Sequence, residues 1–337
     1  MIKLLNFFLL LFTFSGTILS QTEEQLWAIK QLEVLAPNEF LILKNYDDLP
    51  ESYSVECENG SLSSYKTSGT YEYLSIGSRF NVLNSLSINV HEINHGLTSG
   101  KAFIECERRR MLPQIGDLLY YFQFPDGQGE LLVSSIKFFP SSELISEIPL
   151  EKRTFRFDTY IEGNSSTQND GLLGLLDEYN AYLHSLETVF LLKDAYLRTS
   201  ENMVDNYVNW RSQMKSYECS FYEFNFYVLL YLDFARRNSR DIYDAVRNDV
   251  KFSKVYNEIT EQFQLIINKL ETENKQGIYQ FAKQNSLTLK FENGTYWLKS
   301  GNLSTGISYA LEDRDKLIGD LTSSRFDPVR KELGLIK

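Results

Sequence analysis

The residues best suited to chemistry in this sequence form the pattern His-Glu-x-x-His, as His91, Glu92 and His95. The chain contains 3 histidines, so two of them four residues apart, with a glutamate beside the first, are informative. On a helix, positions i and i+4 lie on one face, one turn apart. Two imidazoles so placed can hold one tetrahedral zinc ion, and the glutamate can face an activated water. The pattern therefore predicts a zinc site with His91 and His95 as metal ligands.

A catalytic zinc site needs a third protein ligand, and Glu178 is the strongest candidate. It lies in a predicted helix that begins near residue 172, in a row of otherwise apolar side chains. A carboxylate in such surroundings needs a partner, because an unpaired buried charge is strongly disfavoured, and a metal would be such a partner. Asp177 ranks second and His184 third, because both fall on the polar row of the same helix, which predicts a solvated surface.

These motifs resemble those of the zincin-like metallopeptidases, specifically the gluzincin type. His91-Glu92-x-x-His95 is similar to their zinc-binding helix, and Glu178-x-x-Ala181 is similar to a later glutamate ligand that an alanine follows in some gluzincins. The metzincin arrangement does not fit, because Thr98 and Lys101 stand where it has a glycine and a histidine. The resemblance implies two helices that cross at the metal and a sheet whose edge strand binds an extended peptide.

The resemblance also implies hydrolysis of peptide bonds in a peptide or protein substrate, with Zn²⁺ as the cofactor. Zinc would activate a water molecule and polarise the scissile carbonyl. Glu92 would act as general base, taking a proton from the water and passing it to the leaving amine. A tyrosine often stabilises the oxyanion in such sites, and Tyr182, one turn after Glu178, is the candidate for that catalytic role.

Three other interpretations of these residues remain open. The two histidines could be polar surface residues, with Glu178 paired to an arginine of the cluster Arg108-Arg109-Arg110. A catalytically inactive zincin fold could bind metal or partners, although the intact Glu92 argues against this. Finally, the aromatic residues of segment 217–227 could form a recognition surface, but their spacing favours packing in the core.

The composition is that of an acidic globular protein. Hydrophobic residues make up 43% of the 337 residues and charged residues 23%, which is ordinary for a folded chain. The net charge of −11 argues against nucleic acid as a partner, because phosphate contacts need a basic face. Cys57, Cys106 and Cys219 match no zinc-site spacing, so we expect small buried residues.

Residues 1–20 have the pattern of a secretory signal peptide. Lys3 precedes a short apolar stretch, small residues follow, and a cleavage site is expected near Ser20-Gln21. The apolar stretch is short for a bilayer span, so we expect removal rather than anchoring. The mature chain would then be secreted, periplasmic or on the cell surface, without a membrane span.

The helices and strands predicted around these residues indicate an α+β fold. The zinc motif lies on a predicted helix from about residue 79 to 97, with Gly96 and Gly100 as stop signals. A helix is predicted at residues 22–36, and strand-like runs are predicted at 40–43 and 71–74. A hairpin at 118–133 could supply the edge strand, although in many zincins the sheet precedes the zinc motif.

Beyond the polar stretch 161–171 the pattern becomes mostly helical. The predicted elements are helices near 172–198, 201–238, 240–272 and 303–320, and a small hairpin at 287–299. We therefore expect a zincin-like catalytic domain with a small mixed sheet at residues 21–200. A mainly helical region at 201–337 would follow and could pack on the same domain.

Overall fold

The structure is a computed structural model that describes residues 21–163, 166–200, 202–301 and 303–336. Long helices dominate it, and its strands form small antiparallel sheets, so the predicted α+β class is confirmed. The expectation of a mixed sheet is wrong for the described part of the chain, because each strand there pairs only with a neighbour in sequence. The predicted signal peptide at 1–20 lies outside the described residues.

Two helices open the described chain, α1 at Glu23–Leu35 and α2 at Pro37–Asp47. A capping box starts α1, because the Thr22 side chain accepts from the backbone of Gln25 while the Gln25 side chain accepts from that of Thr22. Pro37 suits the first turn of α2, where its missing N–H is not needed. The strand predicted at 40–43 is therefore wrong, since these residues lie in α2, from which Ile42 and Leu43 are buried in the core.

The zinc-motif helix is α3, Arg79–Arg108, which begins at the Ser78 cap. Its predicted end near Gly96 is wrong, because the helix continues for twelve further residues, to Arg108. A Cβ atom at Gly96 would lie 2.5 Å from the Tyr46 ring of α2, so this glycine permits close helix packing. The predicted apolar stripe is confirmed as core, and it consists of Leu83, Leu86, Val90, Ile93 and Leu97.

Seven strands form three antiparallel sheets in the described residues. The first sheet was not predicted and pairs β1, Ser52–Cys57, with β2, Gly60–Tyr65. The predicted hairpin at 118–133 is confirmed as β3, Leu118–Gln123, and β4, Gly129–Ser134. The strand predicted at 71–74 is wrong, because those residues form a turn and the start of a loop.

The third sheet contains the hairpin that was predicted at 287–299 and adds a third strand to it. Its strands are β5, Thr288–Glu292, β6, Thr295–Ser300, and β7, Leu303–Ser308. The helix predicted at 303–320 is therefore wrong over its first part and begins only at Glu312.

The remaining helices confirm that the second half is mainly helical. They are α4 Ser166–Asn169, α5 Leu172–Leu191, α6 Lys193–Tyr196, α7 Met203–Asn238, α8 Arg240–Asn248, α9 Val250–Thr272, α10 Ile278–Gln284, α11 Glu312–Thr322 and α12 Asp327–Leu333. The helix predicted at 240–272 is divided at Asp249, whose side chain accepts a hydrogen bond at the start of α9.

Helix α5 lies at the centre, packed against α3, α7 and α9. Buried apolar residues from α1 through α12 form one continuous cluster, so both sides of the expected boundary near residue 200 share a core. The aromatic residues of segment 217–227 in α7 are buried in it, as their spacing predicted, namely Tyr217, Phe221, Tyr222, Phe224, Phe226 and Tyr227. Among the described helices, none combines the length and apolarity required to cross a bilayer.

Candidate metal centre and cleft

Two packed helices bring together the three predicted metal ligands. His91 and His95 lie one turn apart on α3, and Glu178 lies on α5, which packs along α3. The two helices pack because each has an apolar stripe, and the two stripes are buried against each other. This packing determines which polar residues beside the stripes come into contact. His91, His95 and Glu178 form a group of side chains that could hold a metal ion.

The spacing of the three donor atoms suits zinc. The Nε2 atoms of His91 and His95 are 3.2 Å apart, and Oε2 of Glu178 lies 3.4 Å from the first and 3.5 Å from the second. Tetrahedral zinc with bonds of about 2.0–2.1 Å requires donor atoms about 3.3 Å apart. The observed triangle has edges of that length, so one ion could contact all three atoms without rearrangement of the helices.

Of the three donor atoms, the carboxylate oxygen is the one that the surrounding hydrogen bonds leave unsatisfied. Oε2 of Glu178 is buried and has no hydrogen-bond partner of good geometry among the described residues. A buried carboxylate oxygen without a partner is costly, and a cation in the middle of the triangle would remove that cost. The residues present therefore fit a bound metal ion.

Asp177 contacts the outer nitrogen of His95 rather than the position that a metal ion would occupy. Its Oδ2 atom lies 2.7 Å from Nδ1 of His95. A carboxylate behind a ligating histidine fixes the tautomer, so that Nε2 presents its lone pair to the metal. The expectation that Asp177 is solvated is wrong, because it is buried and lines the wall of the site.

His91 has a weaker partner on its outer side. Its Nδ1 lies 3.4 Å from the hydroxyl oxygen of Ser185, which donates to the Ser87 carbonyl of α3. Ser185 lies two turns after Glu178 on α5, so one helix supplies a metal-ligand candidate and contacts to both histidines. No sequence signal distinguished Ser185 from other small polar residues.

The electrostatics of the site favour a positive charge. Burial disfavours a charged His95, but the carboxylates of Asp177 and Glu178 outweigh it and raise the pKa of His95 well above its usual value. Burial likewise opposes ionisation of Glu178, but the nearby His95 and His91 outweigh it and hold the pKa of Glu178 below its usual range. Two carboxylates thus lie beside His95, and a proton or a metal ion must neutralise their negative charge.

His184, the third-ranked ligand candidate, lies elsewhere. Its Nδ1 is 2.9 Å from Oε2 of Glu39 in α2, and its Nε2 is 2.8 Å from the carbonyl oxygen of Gln123 at the end of β3. It is 1% exposed, so the expectation of a solvated surface is wrong here too. His184 therefore connects α5 to α2 and β3 by hydrogen bonds and is not part of the metal group.

A cleft with a volume of about 590 Å³ opens onto the three donor atoms. Residues 62–64 of β2 and residues 117–120 at the start of β3 line it, together with Tyr160. In the described chain neither β2 nor β3 has a second strand partner, so each sheet has an edge without a paired strand. Apart from the two histidines, its charged lining residues are all acidic, namely Glu92, Asp117, Asp170, Asp177 and Glu178.

Glu92 lines the cleft, whereas the candidate tyrosine Tyr182 does not. Glu92 is partly exposed, lines the cleft and has no hydrogen-bond partner among the described side chains, so its carboxylate is free to bind water. Tyr182 lies behind His91, with ring centroids 4.6 Å apart, and is not among the residues that line the cleft. Tyr160, which the sequence analysis did not single out, lines the cleft instead.

The alternative in which Glu178 pairs with a basic cluster is wrong. Arg108 and Arg109 both bond to Glu105 one turn earlier on α3, at 2.6 and 3.1 Å. Glu178 instead approaches His91 and His95, and both imidazoles line the cleft rather than an open polar surface.

Comparison of the chain with family models, with curated proteins and with solved structures finds no match. Inference about function therefore depends on the geometry of this site.

Proposed function

We propose that this protein is a zinc-dependent metallopeptidase of the zincin-like, gluzincin type. One observation carries the proposal: the donor atoms of His91, His95 and Glu178 form a triangle with edges of 3.2–3.5 Å at the floor of a cleft that Glu92 also lines. The ligand types favour zinc, which commonly takes two histidines and one glutamate and keeps a fourth position open. Supporting this choice, no further side chain completes the metal group among the described residues.

The roles of the residues follow from their positions. His91, His95 and Glu178 would hold the ion, and Asp177 would orient His95. When bound, zinc supplies Lewis-acid activation of water and of the scissile carbonyl group. Glu92 would accept a proton from the attacking water and deliver it to the leaving amine nitrogen, which completes cleavage of the C–N bond.

The cleft suits an extended peptide as substrate. Strands β2 and β3 both contribute to its lining, and each pairs with only one strand in the described chain. A peptide in an extended conformation could hydrogen bond to such an edge, which would hold its backbone near Glu92. The resemblance to zincins implied an edge strand of this kind, and β3 is our candidate for it.

The proposal is tested with purified protein, a mixed peptide library and zinc. We expect cleavage that a chelator abolishes and added zinc restores. Glu92→Gln should retain zinc and lose activity by several orders of magnitude, because the variant cannot take up the proton. Glu107→Gln, which alters an exposed residue of the same helix that does not line the cleft, is the matched control and should keep activity.

The same experiment distinguishes the alternative of an inactive scaffold. Stoichiometric zinc without cleavage of any peptide would favour a zincin-like fold that binds metal or partners. We also propose export of the protein, which rests on the signal-peptide pattern of residues 1–20. Fractionation of cells that express the full chain tests export, and retention of the uncleaved chain in the cytoplasm would contradict it.

A further inference from the structure

The lining of the cleft contains a hydrogen-bonded pair, Tyr120 and Asp170. The Tyr120 hydroxyl donates to Oδ2 of Asp170 at 2.5 Å. Tyr120 lies on β3, and Asp170 lies just before α5, where Gly171 is the cap. Both side chains line the cleft that contains the metal group. Tyr120 is buried, whereas Asp170 is partly exposed, so its carboxylate is accessible to a ligand in the cleft.

Tyr120 donates a hydrogen bond to Asp170 but does not neutralise it. Burial, followed by the carboxylates of Asp177 and Asp170, raises the pKa of Tyr120 well above its usual value, so the phenol stays neutral. A neutral phenol leaves the negative charge of its acceptor in place. Among the described residues, none forms an ion pair with Asp170, and no lysine or arginine lines the cleft.

The formal charges leave Asp170 unbalanced even when a metal is bound. With neutral histidines, the double positive charge of zinc equals the negative charges of Asp177 and Glu178. Asp170 is not a member of the metal group, and Glu92 and Asp117 add further carboxylates to the lining. A cleft lined by charges of one sign concentrates the opposite charge. The cleft therefore attracts positively charged groups in the metal-free protein and in the zinc-loaded protein.

Two buried oxygen atoms in the same lining also lack a partner. Thr98 lies one turn after His95 on α3 and is 2% exposed, and its hydroxyl oxygen has no hydrogen-bond partner among the described residues. Oδ1 of Asp177 is likewise buried and unpaired, because the bond to His95 uses Oδ2. Unpaired buried oxygens are costly, and a positive charge nearby reduces that cost even without direct contact. They therefore indicate a cationic ligand independently of Asp170.

An organic nitrogen group fits Asp170 better than a second metal ion does. Within the described chain, the ligand geometry that could hold a metal is found only at His91, His95 and Glu178. An ammonium or guanidinium group needs no such cage, because it can donate a charge-assisted hydrogen bond to a single carboxylate. Asp170 offers Oδ1 for this bond, since the Tyr120 hydroxyl bonds to Oδ2.

We propose that Asp170 binds a positively charged nitrogen group of the substrate, so that the cleft selects peptides with a basic group near the bond to be cleaved. The inference rests on the proposed peptidase function and names its substrate class. A lysine or arginine side chain and the free α-amino group of a peptide supply the same chemistry. Tyr120 would be a positioning residue, because its hydroxyl holds the Asp170 carboxylate in place.

A binding measurement tests the proposal without hydrolysis. The zinc-loaded Glu92→Gln protein is titrated by calorimetry with acetylated, amidated hexapeptides in which one lysine or one norleucine occupies each position in turn. We expect lysine at one position to bind about 10- to 100-fold more tightly than norleucine, as for a hydrogen bond to a charged group. The same peptides with a free amino terminus form the second arm. Tighter binding that needs only the free terminus would identify the α-amino group as the source of the charge.

Variants of the acidic residues locate the binding group. Asp170→Asn, added to the same protein, should abolish the preference for the charged peptide and leave norleucine binding unchanged, because asparagine still accepts from Tyr120. Asp170→Glu should keep part of the preference. Glu107→Gln removes one negative charge from an exposed position outside the cleft and is the control for net charge. Asp117→Asn should keep the preference, and its loss there instead of in Asp170→Asn would overturn the proposal.

The outcomes separate this inference from the proposed function. Equal affinity for charged and uncharged peptides in both arms, or a preference that survives Asp170→Asn, would overturn the inference, while hydrolysis by the wild-type protein would leave the proposed function standing. Binding of basic peptides that depends on Asp170, without hydrolysis of any of them by the wild-type protein, would support the cation site and overturn the proposed function.

Discussion

Nδ1 of His95 lies 2.7 Å from Oδ2 of Asp177, the residue that precedes Glu178 on α5. Adjacent carboxylates on one helix thus reach opposite sides of the same imidazole, because Glu178 approaches Nε2 at 3.5 Å. The arrangement gives each carboxylate a separate role. Glu178 faces the position that a metal ion would occupy, and Asp177 orients the His95 ring, which faces the same position.

Asp177→Asn should weaken zinc binding without abolishing it. The amide loses the charge that makes His95 a better ligand, and loss of such a partner typically reduces metal affinity about 10- to 100-fold. Competition with a chelating dye measures the change. Asp117→Asn provides the control, because Asp117 lines the cleft but accepts its hydrogen bond from the Gln114 backbone. Complete loss of zinc from Asp177→Asn, with zinc retained by Glu178→Ala, would identify Asp177 as the third ligand instead.

Gly96→Ala should destabilise the fold by about 1–3 kcal/mol, as overpacking of a tight contact does. The added Cβ would lie 2.5 Å from Cε2 of Tyr46, so α2 and α3 would have to separate. Urea unfolding of the metal-free protein measures the loss. Gly319→Ala is the matched control in α11, where a Cβ would meet no atom within 4 Å. That variant should gain up to about 1 kcal/mol from helix propensity, and equal effects of the two substitutions would contradict the packing account.

His184 should make stability depend on pH. Both of its ring nitrogens face acceptors, Glu39 and the Gln123 carbonyl, so only the protonated imidazole can donate to both. Burial opposes this charge, but the Glu39 carboxylate outweighs it and raises the pKa of His184. The stabilisation is therefore fully present below the unfolded-state pKa of about 6.5 and is lost as pH rises through the higher folded-state value.

The measurement compares unfolding free energies of the wild-type protein and His184→Gln at pH 6 and pH 9, with a chelator present. The difference between the proteins should be larger at pH 6. Glu187 also faces this group, and burial raises its pKa to about 7, so its ionisation lowers the stability of both proteins over an overlapping range. A difference that is the same at both pH values would show that His184 is not charged in the folded protein.

The sequence predicted the metal group because its ligands combine scarce residue types with helical spacing. His91 and His95 required only the i, i+4 relation, and Glu178 stood out as a carboxylate in an apolar row. The polar row of the same helix was misinterpreted as a solvated face. Asp177 and His184 are buried there because His95, Glu39 and Gln123 provide their partners, and those partners come from distant parts of the chain.

Element types were harder to predict where segments are short. The apolar run at 40–43 fits a strand as well as a buried helix, and Pro37 decided the outcome by starting α2. Gly96 suggested a helix end, but its function is to let Tyr46 approach, which depends on tertiary packing. Tyr160 carried no sequence signal, because its position at the cleft depends on the turn Asp158–Glu162 that contains it.

The most direct test of the account is the zinc content of the purified protein and of Glu178→Ala, measured by elemental analysis after dialysis. We predict about one zinc per chain in the wild-type protein and in Glu92→Gln, and almost none in Glu178→Ala. A wild-type protein without metal, or a Glu178→Ala variant that still holds one zinc per chain, would contradict it.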